Sequence, residues 1–175
     1  MTSWKKRRRN RYFVYTALGA AVVTVALLVV AGRDDTSDAE AAPDLTLAYF
    51  EGEAGTLDDL VGKPVVLNFW ASWCPACVSE MPAFGEVHRR FGDRVSFIGI
   101  NMQEVSLDAA ADLVERTGVG YPLVHDPNGE IFRAFDGVAM PTTVFIRSDG
   151  TVARIHAGTI FEDALISLIE DELLG

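Results

Sequence analysis

The chain has 175 residues, 49% of them aliphatic, aromatic or cysteine. That is ample for one core of the size that domains of this length bury and too apolar for a disordered chain. The formal charge of −10 is unevenly placed: residues 1–33 hold seven of the 15 Lys and Arg and no acid, leaving eight bases against 25 acids. An acidic domain of that kind repels phosphate backbones, so nucleic acid is not an expected partner, and the net charge serves solubility.

Lys5, Lys6, Arg7, Arg8, Arg9 and Arg11 precede an uncharged run from Tyr12 to Gly32, closed by Arg33, Asp34 and Asp35. A run of about 20 residues is sufficient to cross a ~30 Å hydrocarbon layer as a helix. The positive-inside rule keeps residues 1–11 cytoplasmic and exports everything after Arg33. A cleavable signal peptide is the competing reading, because Ala39-Glu40-Ala41 resembles a cleavage site. Against it, the apolar run exceeds the ~7–15 residues of a signal core, and a charged stretch separates that run from Ala41. A lipid anchor would require a cysteine just after the run, and the chain's two cysteines lie elsewhere. Either reading exports the domain. Residues 33–43, rich in Asp, Ala and Ser, read as a tether, and 44–175 as the folded domain.

Leu45, Leu47 and Tyr49 alternate with small or polar residues, the pattern of a short half-buried strand. Thr56 to Leu60 reads as a capped helical turn ending at Gly62. Pro64 to Trp70 is apolar almost throughout, as a central strand covered on both faces requires. A helix is predicted from Pro75, which suits a first turn, to about Phe91, with Gly92 as its stop and Pro82 as a kink. A strand over Val95–Ile100 and a helix over Leu107–Thr117 follow, the helix having Leu107, Ala110, Ala111 and Val114 at helical spacing and Gly118 as its stop. Tyr121–Val124 reads as a brief strand and Gly129–Phe135 as a short helix. Thr142–Ile146 and Val152–His156 flank Ser148-Asp149-Gly150 as a hairpin. Phe161–Leu174 closes the chain as an amphipathic helix, with Leu165, Leu168, Ile169 and Leu173 on one face. The order βαβαβ, hairpin, helix predicts an α/β domain with a mixed sheet and helices on both faces.

Cys74 and Cys77 stand two residues apart where strand gives way to helix. The first cysteine of such a pair projects from a helix N-terminus, whose free N–H groups and dipole favour an anion. Free cysteine titrates near ~8.5, and helix-terminal Cys-x-x-Cys pairs fall to roughly 3.5–7.5, so Cys74 is the expected nucleophile. Cys77, one turn further in, is placed to resolve the mixed disulfide. A structural zinc site needs about four ligands, and His88, His125 and His156 are scattered. A purely structural bridge across two residues closes too small a loop to stabilise much. A cuprous site remains open, since thiolates also suit that ion. The expected redox centre is therefore the Cys74–Cys77 pair itself, with no cofactor and no metal.

Phe69-Trp70-Ala71-Ser72-Trp73-Cys74-Pro75-Ala76-Cys77, followed by Glu80-Met81-Pro82 and by Met140-Pro141-Thr142-Thr143, resembles the thioredoxin-fold family. Within it, the chain is similar to the membrane-tethered or exported branch typified by TlpA, ResA and CcmG. The resemblance spans residues 43–175. It implies a thioredoxin-like fold with a helix-containing insertion over Asn101–Tyr121. It also implies that Pro141 is a cis-proline facing the cysteines, beside which a substrate chain pairs like an added strand. Trp73, Met140 and Pro141 would form the substrate-binding surface; Trp70 and Trp73 are both expected to pack, Trp73 also shielding the thiols. Asn68 stands where ordinary thioredoxins carry a buried Asp, so that proton acceptor is missing. Glu80 occupies the place of an acidic residue in ResA-like proteins and would accept the Cys77 proton; the alternative is an acid favoured by the helix dipole.

These residues describe an extracytoplasmic thiol-disulfide oxidoreductase at the cell membrane. Its partners would be exported proteins with thiols or disulfides, such as apocytochrome c, and a membrane thiol relay as electron source. The rival readings are a disulfide-donating oxidant and a non-enzymatic copper or thiol chaperone. A peroxidase on a related fold would need a Pro-x-x-x-Thr-x-x-Cys pattern, which the chain lacks.

Overall fold

Strand β3 (Val65–Trp70) is the middle of the molecule, and all six of its residues are buried. In the computed structural model, which describes residues 40–175, it is covered on both faces because its side chains alternate between two apolar clusters. Val66 and Trp70 join the core beneath helix α1 (Pro75–Phe91), and Val65, Leu67 and Phe69 join the opposite core. The continuous apolar run that predicted a central strand thus has its physical reason. The basic cluster and the apolar run at residues 12–32 lie outside the described residues. Among the described residues no helix is long and apolar enough to cross a membrane.

The remaining elements are β1 (Thr46–Tyr49), β2 (Gly55–Thr56), β4 (Ser96–Met102), α2 (Leu107–Thr117), β5 (Leu123–Asp126), α3 (Glu130–Ala134), β6 (Thr142–Ile146), β7 (Val152–Ala157) and α4 (Glu162–Ile169). They form one seven-stranded sheet in the order β2-β1-β5-β4-β3-β6-β7. β3, β4 and β5 run parallel, joined by α1 and α2, while β1, β2, β6 and β7 pair antiparallel. This is the mixed sheet expected from helix-linked strands followed by a hairpin. α1, α2 and α4 bury Phe84, Leu113 and Leu165 on one face of the sheet, and α3 buries Ile131 on the other. Gly99 on β4 is required by close approach: a Cβ there would stand 2.7 Å from a Leu123 methyl and 2.9 Å from the Trp70 indole nitrogen.

Helix α1 matches its predicted limits and continues unbroken through Pro82. Other expectations are corrected. The turn at Thr56 is preceded by a strand the sequence did not reveal, β2, whose two residues carry too little pattern to read. Thr56 N–H donates to Asp59 Oδ2 at 2.7 Å and Asp59 N–H to Thr56 Oγ1 at 3.3 Å, a reciprocal pair of bonds that ties β2 to the 3₁₀ turn Asp58–Leu60. β5 starts two residues later than Tyr121, and the last turn of the final helix, Glu170–Leu174, widens to a π-helix. Helix α2 buries Ala110 and Leu113, leaving Leu107, placed on its apolar face by spacing, 60% exposed. The chain joins the sheet already within the stretch read as tether. Ala42 N–H donates to Gly150 O at 2.8 Å, and Glu40 O accepts from Val152 N–H at 2.9 Å.

Candidate active site

Cys74 is the N-cap of α1, in extended backbone conformation, and its Sγ accepts the Cys77 N–H at 3.2 Å. Pro75 follows at the first helical position, where a missing N–H leaves nothing unpaired. The helix end thus points its free donors at the Cys74 sulfur, the arrangement that stabilises a thiolate. The two cysteines are bonded, S–S 2.10 Å, with Cys74 6% exposed and Cys77 fully buried. A partner can reach only the first.

One turn beyond Cys77, Glu80 is completely buried. Its Oε1 accepts the Asn68 amide N–H at 2.8 Å, and its Oε2 accepts the Ile160 backbone N–H at 3.0 Å. Burial pushes the Glu80 carboxyl up to about 7, against the pull of these two hydrogen bonds. An acid placed in an early turn only to suit the helix dipole would be exposed to water, and this one is not. Asn68 also differs from its expectation. Read as a lost acid with no proton to exchange, it is instead the donor that orients Glu80. Tyr121, also buried, has its phenol pushed upward by burial and by the Glu80 charge.

The Met140–Pro141 peptide is cis, as the resemblance implied. The β3–β6 ladder ends with Phe69 opposite Thr142, which sets Pro141 beside the end of β3 from which the cysteine turn departs. Pro141 is buried and its carbonyl accepts Gly158 N–H at 2.8 Å, while Thr142 Oγ1 donates to Ala139 O at 2.7 Å, bracing the loop on both sides. Met140 is half-buried and packs on the cluster that holds both cysteines. Trp70 is a core residue with no exposed surface. Trp73 is not a buried packing residue: it is 47% exposed, and its indole N–H donates to Gln103 O at 3.1 Å.

Glu104 was not foreseen. Its carboxylate accepts from Ser72 N–H and Ser72 Oγ, each at 2.8 Å, from Asn101 Nδ2 at 3.0 Å, and from Val105 and Ser106 N–H at 2.8 and 3.3 Å. Burial raises the group, but the donors from Ser72, Asn101 and Ser106 prevail and hold it at about 2. Nothing in its sequence neighbourhood signals this, because its main partner lies 32 residues away. The histidines do not converge on the disulfide. His88 stands edge-on to Phe97 and Tyr121, His125 stacks on Phe50, and His156 lies on β7. A cleft of about 580 Å³ opens between Tyr49–Phe50 and Val114–Leu123, and neither cysteine lines it.

The chain's similarities agree with this geometry. The AhpC/TSA family model matches residues 39–155. The thiol-disulfide oxidoreductase ResA of Oceanobacillus iheyensis is 31% identical over 183 aligned positions, covering 97% of this chain and 93% of the relative. Among solved structures, a DsbF homologue from Corynebacterium diphtheriae superposes with a TM-score of 0.70 at 29% identity, over 78% of this chain and 88% of that one. A thioredoxin-family thiol:disulfide interchange protein from Chlorobium tepidum does so at 0.68 and 27%, over 77% and 96%. The chain therefore belongs to the AhpC/TSA family, as a thioredoxin-fold thiol-disulfide oxidoreductase of the ResA-like branch.

Proposed function

We propose that residues 12–32 tether this enzyme to the cell membrane, and that its domain works outside the cytoplasm as a reductant of exported proteins. The client class is a protein with a closed cysteine pair, such as apocytochrome c before haem attachment, and a membrane thiol relay returns the electrons. The observation that carries this reading is the buried Glu80 one turn beyond a fully buried Cys77, with Cys74 alone of the pair retaining any exposed surface. The basic-then-apolar N-terminus and the ResA relative support the setting.

In the reduced enzyme, the Cys74 thiolate attacks one sulfur of the client disulfide. A Cys74–client bond forms and the client's other sulfur leaves as a thiolate. Cys77 then gives its proton to the Glu80 carboxylate and attacks Cys74 Sγ, forming the Cys74–Cys77 bond and expelling the second client sulfur. Two electrons pass to the client, whose thiolates take up two protons, one of them returned from Glu80. A dithiol of the relay reverses the sequence. Glu80 is suited to this because its carboxyl, at about 7, changes state near neutral pH.

Single-cysteine variants of the full chain test the assignment. Cys77→Ser should accumulate a mixed disulfide with a disulfide-bonded client peptide, mapped to Cys74 by mass spectrometry, and Cys74→Ser should form none. A stable adduct on Cys77 would reverse the roles. The reduction potential of the pair decides direction: a value well below the ~−180 mV of protein disulfide isomerase fits a reductant, and one near ~−120 mV makes the enzyme an oxidant.

A further inference from the structure

The turn between β4 and α2 has a form that the exchange chemistry alone does not require. Gln103 holds a left-handed backbone, φ 46°, a conformation that side-chain-bearing residues rarely adopt and that clusters at functional sites. It is fixed from two directions: Gln103 N–H donates to Asp126 O at 3.0 Å, and Gln103 O accepts the Trp73 indole. Glu104 then bridges the turn to the residue two before Cys74, accepting Ser72 N–H and Val105 N–H with one carboxylate. The backbone of Val105 is therefore one carboxylate away from that of Ser72.

What this clamp presents is apolar. Val105 is 83% exposed and Leu107 60%, beside the 47% exposed Trp73, in a domain whose large apolar residues are otherwise mostly buried. Helical spacing would have turned Leu107 inward with Ala110. Ser106 caps the helix instead, accepting Ala109 N–H at 3.3 Å, and Leu107 faces out at its first turn. The one charge in the turn, Glu104, is occupied by five donors and offers little to a cation on a partner. Cys74 is 6% exposed, so any chain that bonds to its sulfur must lie against the surface around it.

We propose that Trp73, Val105 and Leu107 form a second wall of the client site, an apolar shelf that selects aliphatic or aromatic residues next to the client's reacting cysteine. Glu104 is the positioning residue that holds the shelf to the cysteine turn. The occupant is an extended client segment, because hydrogen bonds from Trp73 to Gln103 and from Ser72 and Val105 to Glu104 tie the shelf to the turn that carries the one sulfur a client must reach. This inference rests on the exchange reading above and adds to it the class of sequence preferred.

The test uses the full chain and three probes. Two are synthetic disulfide peptides, one with Leu and Ile flanking its cysteines and the other with Ser and Asn there. The third is 5,5′-dithiobis(2-nitrobenzoate), a small disulfide with no flanks. The wild type should favour the apolar peptide over the polar one by about tenfold in kcat/KM, as half-burial of two aliphatic side chains implies. In Val105→Ser/Leu107→Ser that ratio should fall towards one. In Glu104→Gln it should fall part of the way, through a higher KM for the apolar peptide with kcat retained. A ratio near one in the wild type, or a ratio unchanged in the double variant, overturns the shelf while leaving the exchange reading intact. Loss of kcat in Glu104→Gln with the ratio preserved overturns the clamp and makes Glu104 a support of the cysteine turn only. A wild type that reduces none of the three probes removes the exchange reading and this inference with it.

Discussion

Two glutamates flank the cysteine motif, one in sequence and the other in bonding, and their surroundings drive their carboxyls apart. Glu80 is without exposed surface, has two N–H donors and is pushed up to about 7. Glu104 lies at the rim with five donors and is held at about 2. Both are glutamates, one three residues beyond Cys77 and the other bonded to Ser72, two residues before Cys74. The balance between desolvation and donated hydrogen bonds is what differs, and it separates a group that can take up a proton near neutrality from one that stays charged and holds a turn in place.

The largest expected consequence of this contrast is in stability. A carboxyl whose folded value is raised from 4.5 to about 7 contributes stability that is fully present below about 4.5 and is lost as pH rises through about 7. The loss is on the order of 3 kcal/mol. Urea unfolding of the oxidised protein between these limits should show it, and Glu80→Gln should flatten the slope; an equal slope in the variant would place the titration elsewhere.

Glu104 should behave in the opposite sense. With its folded value lowered from 4.5 to about 2, its contribution is present above about 4.5 and is lost as pH falls through about 2. Partial exposure to solvent reduces the effect to about 2 kcal/mol. Acid unfolding of Glu104→Gln should begin from a lower plateau and lack this component. An acid limb identical to that of the wild type would contradict the clamp.

The smallest effect is at Asn68. Its amide lowers the Glu80 carboxyl, so Asn68→Ala should move the inflection in the rate of mixed-disulfide resolution to higher pH. An inflection that moves down, or not at all, would remove Asn68 from the site.

The same contrast marks what the sequence could disclose. Helix α1 was legible to the residue because its signals are local: Pro75 at its start and Gly92 at its end, with the cysteines in its first turn. The Cys-x-x-Cys chemistry was legible for the same reason. The hairpin announced itself through Ser148-Asp149-Gly150, and β3 through its uninterrupted apolar run. Glu80 was only partly legible: the spacing puts it on the Cys77 face, but its donors come from 12 residues upstream and 80 downstream, one of them a backbone N–H with no side-chain signature. Asn68 stood out as a polar residue in an apolar strand, but the partner that gives it meaning was missing. Glu104 and the outward Leu107 were illegible, since periodicity describes a helix face and says nothing of a clamp made across 32 residues.

The central claim is that Glu80 accepts the proton of Cys77 as it resolves the mixed disulfide. It is tested most directly by preforming that disulfide at Cys74 and following its single-turnover release across about pH 5 to 9, in the wild type and in Glu80→Gln. Above the Glu80 transition near 7 the wild type should be about 100-fold faster, and below about pH 6, where Glu80 already holds a proton, the two should converge. Equal rates across the whole range would contradict the account.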